Sequence, residues 1–96
     1  MTSSLAPHLI LSGEVDLSVA PSLRDSGMEM ARLVAPGRLE IDLGDVTFID
    51  SSGLGALISL RNAARQCGAK LVLVRVSQAV ARFLELAGVR DSFQVE

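Results

Sequence analysis

The chemistry available to this chain is concentrated at Asp50-Ser51-Ser52, where an apolar run ends and a segment of helical pattern begins, with Gly53 and Gly55 following at once. A hydroxyl beside a carboxylate could be a nucleophile, part of a metal or phosphate site, or a target for another protein's chemistry. Few helpers exist elsewhere: His8, Cys67 and Lys70 are each the sole residue of their type, and Glu14 and Asp16 are the acids that follow the first apolar run.

A nucleophilic serine at a strand-to-helix elbow requires G-x-S-x-G. The first glycine position is Ile49 for Ser51 and Asp50 for Ser52, and His8 stands at the start of the first strand, so a serine hydrolase is disfavoured. A phosphate-cradling loop needs a lysine after its last glycine, whereas none follows Gly53 or Gly55, and Asp50 would repel the anion. A phosphoacceptor aspartate needs convergent acids around Mg2+ and a nearby lysine. Asp50, Asp16 and Glu14 could share one end of a sheet, but Lys70 opens the strand after the helix and is expected at the other end.

Two readings remain. In the first, Asp50 or Ser51 caps a helix and the glycines permit close packing. Glycine inside a helix costs up to ~1 kcal/mol relative to alanine, however, and two in one turn imply that something approaches this backbone. In the second, the serine is phosphorylated by another protein. A phosphoryl group adds about −1.5 to −2 charges, which the helix dipole and free N–H groups tolerate, while a partner pressed onto the glycine-flattened surface is repelled.

The elements that position these residues follow from apolar spacing. Leu9 to Gly13 reads as a strand; Ser18 is a plausible cap for a helix with Pro21 in its first turn and Val19, Leu23, Met30, Leu33 and Val34 on its inner face, interrupted by Gly27 and stopped at Pro36-Gly37. Leu39, Ile41 and Leu43 alternate with Arg38, Glu40 and Asp42 as in a half-buried strand; Gly44-Asp45 reads as a turn, after which Val46 and Phe48 re-enter the core. Leu57, Ile58, Ala64 and Cys67 mark one side of the next helix, closed by Gly68, and Cys67 is expected to be a small core residue. Leu71 to Val76 has the composition of a central strand, Ser77 caps a helix carrying Val80, Phe83, Leu84 and Ala87, and Ser92 to Glu96 offers a last short strand. The fold class is therefore α/β, with a mostly parallel (mixed) sheet of about four strands and crossover helices.

Ninety-six residues, 49% hydrophobic, suit one domain spanning 1–96, with 1–7 as a short N-terminal segment expected to be disordered. A formal net charge of −2 argues against nucleic acid as a partner. One cysteine and one histidine exclude a disulfide framework and a structural zinc site, and no cofactor is expected. No signal-peptide pattern or ~20-residue apolar run is present, so the chain is read as cytoplasmic and without direct membrane insertion.

Asp42-Leu43-Gly44-Asp45-Val46-Thr47-Phe48-Ile49-Asp50-Ser51-Ser52-Gly53-Leu54-Gly55 resembles the signature segment of the STAS domain, in particular that of the bacterial anti-sigma factor antagonists. Leu11 to Asp16, Gly68 to Leu71 and Phe83 to Val89 are similar to further segments in the family's order. The resemblance implies a non-enzyme whose Ser51, with Ser52 second, is phosphorylated by an anti-sigma factor serine kinase and reset by a PP2C-type phosphatase. It implies that the unphosphorylated form binds the kinase and frees the sigma factor, with Gly13, Glu14, Asp16, Asp50, Ser51, Ser52, Gly53 and Gly55 on or near the docking surface. An ordinary solvated turn is the plainer reading of Glu14 and Asp16. The family usually has another strand before Leu9, for which only Thr2 to Pro7 are available, and often a further helix after the position of Glu96. A similarly compact class, STAS subunits that bind the ATPase of ABC-type lipid transporters, is the alternative; the serine directly after Asp50 favours the phosphorylatable branch.

Overall fold

A computed structural model of the chain describes residues 8–96. Its elements are β1 (His8–Val15), α1 (Ala20–Val34), β2 (Arg38–Ile49), α2 (Ser51–Cys67), β3 (Lys70–Val74), α3 (Gln78–Leu86), a single 3-10 turn (Arg90–Ser92) and β4 (Gln94–Val95). The strands lie in the order β1-β2-β3-β4 and every neighbouring pair is parallel. That is the arrangement implied by alternating strands and helices, because a helix returns the chain to the same end of the sheet. The strand and disorder expected within residues 1–7 lie outside the described residues.

One face of the sheet packs against the helices. Partners across a parallel ladder share a face, so Leu9, Ile41 and Leu73 point together into a core completed by Leu23 of α1, Leu57 and Leu60 of α2, and Val80 and Leu84 of α3. On the other face the β1 residues His8, Ile10, Ser12 and Glu14 are exposed. Leu71, Val72 and Leu73 are all buried, as their composition predicts for an inner strand.

β2 departs from the expected turn at Gly44-Asp45: it runs unbroken to Ile49. Two register shifts against β1, between Ile10 and Ser12 and between Gly13 and Glu14, insert extra residues into β2. Each bulge changes the inward spacing from two to three, so Leu39, Ile41, Leu43, Val46 and Ile49 all reach the core while Phe48 turns outward and is 49% exposed. The first bulge is held locally, since the Gly44 N–H donates to Asp42 Oδ1 at 2.9 Å and Arg75 pairs with Asp42 Oδ2 at 3.4 Å.

α1 also differs from its expected form. Val19 occupies the N-cap without a side-chain bond, because Ser18 instead donates both its N–H and its hydroxyl to Asp16 Oδ1. The buried line is Ala20, Leu23, Gly27 and Ala31, while Val19 and Leu33 are exposed and Met30 and Val34 are half-buried. Gly27 does not interrupt this face but makes it: a Cβ there would lie 2.6 Å from Leu60 Cδ1. The small line lets α2 approach closely, so tertiary packing overrides the larger apolar residues nearby.

α2 buries Gly53, Ala56, Leu57, Leu60 and Ala64, leaves Ile58 half-buried, and ends at Gly68 with φ 84°. Cys67, expected in the core, is exposed because it lies off that line in the last turn. Ser77 caps α3 as expected, its Oγ accepting from the Val80 N–H at 3.2 Å, but Ala87 is exposed at the helix end. β4 supplies the expected last strand.

Candidate functional site

The Asp50-Ser51 junction is built by the last residues of two parallel strands. Val15 pairs with Ile49, and the Val15 carbonyl then accepts from the Asp50 N–H at 3.4 Å. Asp50 stays extended and caps α2: its Oδ1 accepts from the N–H groups of Ser52 at 2.9 Å and Gly53 at 3.1 Å, while its carbonyl accepts from Leu54 at 3.0 Å. Ser51 is thus the first helical residue, at the carboxyl end of the sheet, where α/β folds place their binding surfaces.

Ser51 is exposed and Ser52 half-buried. Among the described residues, nothing hydrogen-bonds the Ser51 hydroxyl. The N–H groups expected to be free for an anion are largely taken, since Asp50 occupies two of them. A phosphoryl group on Ser51 would project from the surface beside a carboxylate, with the helix dipole as its main internal support.

The two glycines have different causes. A Cβ on Gly53 would collide with the Val15 carbonyl oxygen and lie 2.9 Å from Val15 Cγ1, so close packing within the molecule explains this residue. A Cβ on Gly55 would meet nothing within 4 Å. The cost of a helical glycine at position 55 is offset by no packing inside the described chain.

Glu14 and Asp16 lie at the same end of the sheet, Glu14 exposed on β1 opposite Phe48 and Asp16 just beyond the strand. Asp16 is more than a solvated turn residue. Its carbonyl accepts from Val19 at 3.2 Å and Ala20 at 3.0 Å, and its carboxylate binds Ser18, whose hydroxyl at 2.6 Å holds the Asp16 carboxyl below the usual carboxylate range. Gly13 pairs with Val46 and sits further back along the sheet, its φ of 71° fitting the bulged ladder. The described residues hold no group of three or more His, Cys, Asp or Glu able to bind a metal ion. His8 pairs with Glu40 and Lys70 with Arg38, at the opposite end of the sheet, which removes the base and the lysine that the hydrolase and phosphoacceptor chemistries require. Sequence reasoning missed Val15, whose carbonyl touches both Asp50 and the Gly53 site; its apolar side chain carries no signal of a backbone role.

A family model described as "Mlab, STAS domain" matches residues 2–95. The chain belongs to the STAS domain family. This STAS domain is 30% identical over 88 residues to the anti-sigma-B factor antagonist of Listeria monocytogenes, covering 92% of this chain and 76% of that protein. It is 31% identical over 85 residues to the anti-sigma-B factor antagonist of Bacillus subtilis, covering 88% of this chain and 76% of that one. The domain therefore falls within the anti-sigma factor antagonists, named for opposing another protein and not for a reaction. Its backbone matches the anti-sigma factor antagonist SpoIIAA, solved in its unphosphorylated form, with a TM-score of 0.71 over 100% of this chain and 83% of that one; at 16% identity this likeness is one of fold. No helix among the described residues is long and apolar enough to cross a membrane.

Proposed function

We propose that this STAS domain is a cytoplasmic, phosphorylation-switched antagonist of an anti-sigma factor serine kinase. Unphosphorylated, the surface around Ser51 binds the kinase and keeps it from its sigma factor. Transfer of the γ-phosphoryl group of ATP to Ser51 Oγ, with loss of the hydroxyl proton and release of ADP, places a dianion beside Asp50 and ends the contact. A PP2C-type phosphatase hydrolyses the phosphoserine and restores binding. The domain catalyses nothing; it is the substrate in both steps.

The reading rests chiefly on Ser51 itself, an exposed hydroxyl without a partner among the described residues and beside a preorganised cap, while Ser52 is half-buried and its N–H serves that cap. Phosphorylation of such a residue changes the surface and leaves the core untouched, as a switch requires. The names of the sequence relatives support the same reading.

Phosphopeptide mapping after incubation with the cognate kinase and ATP tests it. Label is expected on Ser51, retained in Ser52→Ala and lost in Ser51→Ala; label persisting in Ser51→Ala refutes the assignment. Ser51→Asp should weaken kinase binding at least tenfold while shifting stability by no more than ~0.5 kcal/mol, the usual range for a surface change. Co-purification from the host should recover the anti-sigma factor, and recovery of a transporter ATPase in its place would favour the lipid-transport role.

A further inference from the structure

α3 carries two apolar lines. Val80 and Leu84 enter the core, whereas Ala79, Phe83 and Leu86, at i, i+4 and i+7, form a second line at its margin, with Phe83 half-buried against the core and Leu86 77% exposed. β3 follows β2 only as far as the Asp42–Val74 pair, and α3 then packs beside the remainder of β2, with the Ser77 N–H donating to the Leu43 carbonyl at 3.2 Å. The second bulge turns Phe48 out beside that helix. Phe48, Ala79, Phe83 and Leu86 consequently line an apolar groove of about 220 Å³, with Arg82 among its walls.

Its position links the groove to Ser51. Phe48 stands three residues before Ser51, within ~10 Å along an extended chain, so one strand end carries both the exposed ring and the phosphoacceptor. Arg82 is exposed and makes no ion pair among the described residues; it also borders a neighbouring hollow with Arg90. An apolar floor with a cation at its rim is complementary to an apolar side chain flanked by a carboxylate.

We infer that this groove is the second half of the kinase contact, receiving an apolar anchor of the anti-sigma factor whose flanking carboxylate pairs with Arg82. The inference rests on the antagonist reading of Ser51 and extends the docking surface from the start of α2 onto α3. It also gives the switch leverage, because a phosphoryl group on Ser51 would stand at the margin of an apolar contact that must be dehydrated to form.

The test is calorimetric titration of the purified anti-sigma factor kinase from the same host into the wild-type chain, Ser51→Asp, the double variant Phe48→Ser/Leu86→Ser, and Arg82→Glu, with a melting curve for each. The double variant is expected to bind at least tenfold more weakly and Arg82→Glu several-fold more weakly, both melting within a few degrees of wild type. Wild-type affinity in both overturns the groove, while loss of binding in Ser51→Asp would leave the antagonist reading intact. Loss in the double variant with undiminished binding by Ser51→Asp supports the groove and removes the switch. If the double variant fails to fold, Arg82→Glu decides, its side chain being on the solvent side of α3. Sedimentation showing a wild-type dimer that the double variant abolishes would assign the groove to a second copy and overturn the proposal, as would absence of binding by the wild-type chain.

Discussion

At the scale of single residues, Gly53 and Gly55 separate folding from recognition. Gly53 lies under the Val15 carbonyl, so Gly53→Ala forces the β1 end and the α2 start apart and should cost about 1–3 kcal/mol, as overpacking does. Gly55 faces open space, and Gly55→Ala should raise stability by up to ~1 kcal/mol through helix propensity. If a partner's backbone approaches Gly55, the same methyl group weakens kinase binding. Denaturant melts and kinase titrations of both variants check this: a more stable Gly55→Ala that binds as wild type would remove Gly55 from the docking surface.

At the scale of elements, the α1–α2 contact depends on one missing side chain. Gly27→Val would drive a branched side chain into Leu60 and should destabilise by about 1–3 kcal/mol. Leu60→Ala alone should cost ~2–5 kcal/mol, and the double variant less than the sum, because the valine fills space that the leucine vacates. Strict additivity in denaturant melts would show that the two side chains do not meet. Here the sequence was misleading for a physical reason: Leu33 and Val19 are the larger apolar residues, but close helix approach selects the line with the least bulk. β2 misleads similarly, since a period of two assumes one residue per ladder step and its two bulges break that count.

At the scale of the whole molecule, two carboxylates join segments distant from the core. Glu96 receives both terminal nitrogens of Arg38, at 2.6 and 3.1 Å, and ties the chain after β4 to the start of β2, while Asp16 organises the passage from β1 to α1. Arg38 holds the Glu96 carboxyl below its usual range, and the Ser18 hydroxyl does the same for Asp16. The folded chain thus binds these protons more weakly than the unfolded chain. Their stabilising contribution is complete above the ordinary carboxylate range near ~4 and is lost as the pH falls through the lower folded values. Melting temperature measured from pH 7 to pH 3 should fall at the acid end, with a shallower fall in Asp16→Asn/Glu96→Gln; equal slopes would show that neither group contributes.

Hydrophobic periodicity and punctuation by themselves determined the order of strands and helices, the parallel sheet, the helix starts at Asp50-Ser51 and Ser77 and the stop at Gly68, because these depend on neighbours within a few residues. Local chemistry also disfavoured the hydrolase elbow and the phosphate loop. Only the tertiary structure decided that Gly27 belongs to a helix contact, that Phe48 and Cys67 face solvent, and that Gly53 and Gly55 have different reasons to lack a side chain. Each of those outcomes depends on what lies across a packing interface, and residues adjacent in the chain do not encode that distance.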